Sequence, residues 1–233
     1  ETSRRAANLV VTRLSAATRP LHLALSGGAT AHLLFRALCS AGADALLRDR
    51  LRLWWADERC VPPDHPDSNC GAARQTLLEP LRIPADHVFR MRGEDDPDAA
   101  APAYEALLGA QLPAGPLGPV FDMVFLGMGT DGHTASLFPG DEGVFTSRRL
   151  VTTAVHPASG QKRLTLTPRT LNNAQLVFFL VCGADKASMC GRILNRLPGE
   201  PALPAGRIRT PRGRLLWLLD SAAAAGLAGR PES

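Results

Sequence analysis

The sequence predicts an α/β fold in which a mostly parallel sheet lies between helices. Two observations carry this. Short apolar runs alternate with stretches of helical spacing along the chain, and two of those runs, FDMVFLG (residues 121–127) and QLVFFLVCG (residues 175–183), are continuously apolar. Strands buried on both faces of a parallel sheet read that way. With 233 residues, 45% of them hydrophobic, the chain can enclose one large core, so residues 1–233 are expected to form a single domain.

In chain order, residues 4–17 carry apolar positions at helical spacing, and HLAL (residues 22–25) reads as a short strand ended by Ser26-Gly27-Gly28. A helix is expected over residues 30–40. LRLWWA (residues 51–56) is a buried strand, DERCVPPDHPDSN a loop, and residues 69–79 a helix with Ser68 as its N-cap. A short strand near 88–91 and a helix near 98–112 precede a Gly/Pro loop and the FDMVFLG strand. LVTTAV (150–155) and RLTLT (163–167) alternate in polarity, which suggests edge or partly antiparallel strands. QLVFFLVCG is again a buried strand; a helix over 185–195, a last strand LLWLLD (215–220) and a closing helix in the Ala-rich tail complete the chain.

Composition narrows the function. The net charge of +4, from 26 basic and 22 acidic residues, is spread along the chain, and one Tyr and three Trp offer little for stacking on bases, so nucleic acid is not an expected partner. A local positive field would still suit a small anion. Five cysteines without CxxC spacing argue against a disulfide framework or a zinc ribbon and for a reducing compartment, hence a cytoplasmic location. No apolar run is long enough to span a bilayer, and ETSRRAANLV lacks the layout of a signal peptide. Because the chain opens without Met, a lost start or removed leader stays open.

Four motifs could carry chemistry. The loop after the 121–127 strand, GMGTDGHTASLFP, delivers Asp131 and His133 together at a strand's carboxyl end, where open α/β sheets place ligands. An imidazole whose Nδ1 is held by a carboxylate can take a proton from water through Nε2 and return it to a leaving oxygen. SGGAT (26–30) joins a strand to a helix, so its N–H groups can cradle a phosphate, although its glycines equally suit a plain tight turn. It is neither a P-loop nor a dinucleotide fingerprint. Asp57, Glu58 and Arg59 end on the same sheet edge, either as a local ion-pair cluster or with Arg59 facing substrate and Asp57 holding that guanidinium or a sugar hydroxyl. Lys162-Arg163 opens the RLTLT strand, and Lys186 opposes the dipole at the start of the 185–195 helix, which anion binding would explain and a solvated lysine would not require. No His/Cys/carboxylate group has metal-ligand spacing.

SGGAT, WADER, PDSN (66–69), LGMGTDGHTASLFPG, KRLTLT and GADK (183–186) resemble, in this order and over nearly the whole chain, the 6-phosphogluconolactonase family. The resemblance implies a three-layer Rossmann-like sheet similar to glucosamine-6-phosphate deaminases and ribose-5-phosphate isomerases. It implies hydrolysis of 6-phospho-D-glucono-1,5-lactone to 6-phospho-D-gluconate without metal or organic cofactor. Position by position it assigns phosphate binding to Ser26, Gly27, Gly28, Arg163 and Lys186, and substrate contact to Asp57 and Arg59. His133 becomes the acid/base, and Asp131 either positions it or touches the sugar. Cys70, where an aromatic is more usual, departs from the pattern. The expected partner is a phosphosugar lactone, with a glucose-6-phosphate dehydrogenase fused to the chain or acting beside it left open. Two rivals stand beside this expectation. An aminosugar-phosphate deaminase would carry a DGHxxxNE sequence, where this chain has Ser136, Leu137 and Phe138. A non-catalytic sugar-phosphate-binding module would not need the Asp131/His133 pair.

Overall fold

The computed structural model describes residues 1–195 and 202–227. Helix α1 (Thr2–Ala16) buries Ala6, Ala7, Val10 and Leu14, one helical stripe, and leads to strand β1 (Leu21–Leu25). Helix α2 (Ala29–Cys39) follows, and then α3 (Asp44–Arg50), which runs without a breaker into β2 (Leu51–Trp55). DER is not a loop. Asp57–Arg59 forms strand β3, because an antiparallel partner far along the chain satisfies its backbone.

Ser68 caps α4 (Asn69–Ala73) by accepting the Gly71 N–H, and a π-helical turn (Arg74–Leu78) extends it over most of the expected span. A 3-10 turn (Ala85–His87) leads into the edge strand β4 (Val88–Phe89), and Asp96 with Pro97 starts α5 (Pro97–Gln111). The Gly/Pro loop contains a two-residue ladder, β5 (Ala114–Gly115) with β6 (Gly118–Pro119), before β7 (Met123–Leu126). Beyond the signature loop come α6 (Glu142–Thr146), β8 (Val151–Val155), β9 (Lys162–Leu166), α7 (Pro168–Asn172) and β10 (Leu176–Val181). A 3-10 turn (Ala184–Lys186) opens into α8 (Ala187–Leu194). Then come α9 (Pro204–Arg207), β11 (Arg214–Leu219) and α10 (Ser221–Ala224). The expected tail helix is described only through residue 227; positions 228–233 lie outside the described residues.

Six strands form one parallel sheet in the order β11-β10-β7-β1-β2-β4. From β1 the chain winds outward through β2 to β4, and from β7 it winds the other way through β10 to β11. The order therefore reverses between β1 and β7, where a crevice opens beyond the strands' carboxyl ends. Strands β7 and β10 are buried at every residue, as their unbroken apolar runs predict. Trp54 stacks on Phe89 at 4.3 Å and Phe179 on Trp217 at 4.0 Å across neighbouring strands.

The alternating segments β8 and β9 leave this sheet and join β3 in an antiparallel sheet ordered β3-β9-β8. Ala56 connects the two, its N–H donating to Leu25 O and its carbonyl accepting from Leu166 N–H, both at 2.7 Å. Helix α5 packs on β8 and β9. The small sheet is thereby fixed beside the crevice.

Candidate active site

Ser26, Gly27 and Gly28 lead from β1 into α2. Gly28 has φ +87°, a conformation that glycine adopts without strain, and as N-cap of α2 it supplies no side chain to cap the first N–H groups. A Cβ on Gly27 would fall inside the carboxamide of Asn69. Ser26 is 5% exposed and its hydroxyl has no partner. Free amide donors at the start of an eleven-residue helix, beside an unsatisfied hydroxyl, suit an anion.

After β7 the chain turns back on itself: Gly129 N–H donates to His133 O at 2.9 Å, and the Thr134 hydroxyl donates to Gly127 O at 2.8 Å. Ala135 takes φ +48° in this loop. Within that frame Asp131 Oδ1 lies 2.6 Å from His133 Nδ1 and also accepts the His133 backbone N–H at 3.1 Å. A neutral His133 with its proton on Nδ1 leaves Nε2 as a lone pair. Burial alone would push the Asp131 carboxyl up, but the His133 N–H, its charge and its ring hydrogen bond together hold it below the ordinary range. Phe138 tilts against the His133 ring at 5.2 Å, and His156 meets Phe138 edge-on at 5.1 Å.

Strand β3 brings Asp57 and Arg59 to the same space. Asp57 does not hold the Arg59 guanidinium. Its Oδ2 accepts the Ser136 hydroxyl at 2.8 Å, and Arg59 Nη1 donates to Asp67 O at 2.5 Å. Arg163 faces Arg59 across the β3–β9 pair, and the Nε of each guanidinium is buried without a partner. Burial, and then the Arg59 charge, push the Arg163 guanidinium below its usual range. Two cations held this close favour an anion between or beside them. In the 3-10 turn that follows β10, Lys186 Nζ lies 3.4 Å from Asp185 Oδ2.

One cavity of about 370 Å³ unites these parts: Ser26, Gly27, Gly28, Asp57, Arg59, His133 and Lys186 all line it. Asp131, bonded to His133, and Arg163, opposite Arg59 in the β3–β9 pair, are not among the lining residues. Thr30, Asn69, Ala135, Cys182 and Asp185 also line it and carry no role in the sequence reading. The PDSN motif was the available signal for Asn69, which follows the N-cap serine, and strand-end position was the signal for Cys182. Among the described residues no group of three or more His, Cys, Asp or Glu side chains is arranged to hold a metal, and no helix is long and apolar enough to cross a membrane. Leu137 and Phe138 are buried apolar groups and Ser136 is committed to Asp57, so no carboxylate follows His133 there.

The sequence model of the family described as glucosamine-6-phosphate isomerases/6-phosphogluconolactonase matches residues 1–217. The chain is 40% identical over 205 residues to the 6-phosphogluconolactonase of Haemophilus influenzae, covering 88% of this chain and 86% of that protein. It is 39% identical over 228 residues to that of Nostoc sp., covering 96% and 92%. Among solved structures, 6-phosphogluconolactonase from Trypanosoma brucei superposes with a TM-score of 0.86 at 32% identity, over 97% of this chain and 95% of that one. A monomeric glucosamine-6-phosphate deaminase, at 23% identity and TM-score 0.80 over 97% and 95%, shares the fold.

Proposed function

We propose that this chain, which belongs to the glucosamine-6-phosphate isomerase/6-phosphogluconolactonase family, hydrolyses 6-phospho-D-glucono-1,5-lactone to 6-phospho-D-gluconate. It is a carboxylic ester hydrolase acting at the second step of the oxidative pentose phosphate pathway. The observation that carries its mechanism is His133, bonded through Nδ1 to Asp131, in one cavity with Lys186 and the Ser26–Gly28 loop.

A lactone carbonyl is already electrophilic, so the chemistry needs a base, an oxyanion partner and an acid, and neither metal nor organic cofactor. His133 Nε2 takes a proton from water as the water oxygen bonds to C1. Arg59 or loop N–H groups stabilise the oxyanion. As the carbonyl re-forms, the C1–O5 bond breaks and the imidazolium returns its proton to the ring oxygen, giving the open hydroxy acid. Asp131 keeps the Nδ1 proton in place and stabilises the transient cation. The phosphate is held by Ser26, Gly27, Gly28 and Lys186, with Arg163 adding positive field, while Asp57 and Arg59 contact the sugar.

The lactone must come from oxidation of a 6-phosphorylated aldose at C1, which supports a glucose-6-phosphate dehydrogenase beside or fused to this chain. All five cysteines are free, which supports a reducing cytoplasm. The test uses freshly generated lactone with spontaneous hydrolysis subtracted. His133→Ala should lower kcat by about 10² to 10⁴ while 6-phosphogluconate still binds; near wild-type turnover would refute the assignment.

A further inference from the structure

Glu58 is a 2% exposed carboxylate that the hydrolysis does not use. Side chains alternate across a strand, so with Asp57 and Arg59 lining the cavity, Glu58 on the same strand points the other way. There it accepts four hydrogen bonds. Oε1 takes the N–H of Arg59 at 2.8 Å and of Asn69 at 2.7 Å. Oε2 takes the N–H of Cys70 at 2.8 Å and the Ser68 hydroxyl at 3.2 Å. Asn69, placed by that carboxylate, donates from Nδ2 to Asp57 O at 2.9 Å and seats its carboxamide against Gly27. One side chain thus ties together three segments of the cavity wall: residues 26–28, Asp57 with Arg59, and Asn69.

We propose that Glu58 is a positioning residue for this hydrolase: its carboxylate holds the three cavity segments in the arrangement that grips the phosphosugar. This rests on reading the cavity as a phosphosugar site. Burial pushes the Glu58 carboxyl up, against hydrogen bonds from the Cys70, Asn69 and Arg59 N–H groups. Four donors converge on it, and an ionised carboxylate can accept all of them. A glutamine keeps the shape but turns one acceptor oxygen into an NH₂ donor, leaving two of the four donors unsatisfied.

Glu58→Gln should therefore raise KM for the lactone about tenfold and raise the Kd of 6-phosphogluconate in parallel, with a smaller fall in kcat and an unchanged pH dependence of kcat. The control is Glu105→Gln. Glu105 accepts the N–H groups of Leu150 and Val151 beside β8 and does not line the cavity. That variant should melt at lower temperature with KM and Kd unmoved. A Glu58→Gln protein that behaves likewise, melting lower with wild-type KM and Kd, overturns the proposal. Should Glu58→Gln not fold, Ser68→Ala removes one of the four donors and should raise Kd about threefold; an unchanged Kd overturns the proposal equally. Calorimetric Kd values separate this from the functional reading. Wild-type protein that binds 6-phosphogluconate without opening the lactone defeats the activity alone, whereas an active wild type with an unaffected Glu58→Gln variant defeats the positioning role alone.

Discussion

Gly129→Ala should disable catalysis while sparing both the fold and phosphate binding. A Cβ at Gly129 would stand 2.5 Å from Asp131 Oδ1 and closer still to His133 Nδ1 and Cε1. Ordinary contact between such atoms begins near 3.5 Å, so the pair must retreat by about 1 Å. The obstructing atoms are side-chain ends, 31% exposed for His133 and 46% for Asp131, and they can swing outward without disturbing the core. The chain yields there first. A displacement of about 1 Å at a catalytic group costs about 10²-fold in rate, equivalent to about 2.7 kcal/mol on the barrier. The assay is proton release in a pH-stat from freshly made lactone, background subtracted, alongside calorimetric binding of 6-phosphogluconate. Expected is a kcat near 1% of wild type with Kd within about twofold. A Gly129→Ala enzyme with undiminished kcat would show that the observed placement of the Asp131–His133 pair is not the working one, and the proton-transfer account would fall with it.

Two further outcomes test other parts of the molecule. Lys186→Ala should raise KM and weaken product binding with a smaller change in kcat, because Lys186 lines the cavity and the proposed mechanism gives it the phosphate and no proton to move; unchanged KM and product inhibition would remove it from the site. Glu94 is held at a pKa of about 2, below its ordinary 4.5, chiefly by its hydrogen bond from Arg90. A depressed carboxylate stabilises the fold above its unfolded pKa and loses that contribution as pH falls through the folded value. Urea melts should show wild type losing more stability than Glu94→Gln between about pH 4.5 and 2, by a modest amount since the pair is partly exposed; parallel curves would refute the assignment.

The central sheet was legible because its strands announce themselves locally. Phe125 and Phe178 sit in unbroken apolar runs, and Gly28 marks where β1 must end. What escaped depends on partners far along the chain. Asp57–Arg59 carries three charges and has no strand propensity of its own, and only pairing with β9 more than one hundred residues later makes it a strand. The π turn and the short helices α3, α6, α7 and α9 are too brief for periodicity to declare them. At the site, the Asp131–His133 pair could be read from adjacency, since the two residues share one turn. The bonds from Ser136 to Asp57 and from Asn69 to Asp57 could not, because they join segments that only folding brings together.

The two sheets divide the work of the cavity, and the division has a physical cause. A parallel sheet whose order reverses between β1 and β7 opens its crevice at the carboxyl edge, where the Ser26–Gly28 turn after β1, the Asp131–His133 pair after β7 and Lys186 after β10 come together. It cannot also supply a wall facing those loops. The antiparallel β3-β9-β8 sheet does so, tied to the first through Ala56. It presents Asp57 and Arg59 on one face of β3 while Glu58 anchors the other. Asp57 and Arg59 stay apart because Ser136 takes the carboxylate and Asp67 takes the guanidinium. Had they paired with each other, the salt bridge would have consumed both of the charged groups that β3 brings to the cavity. Under the proposed hydrolysis, Ser136, three positions after His133, contributes by occupying Asp57, so that this carboxylate does not pair with Arg59.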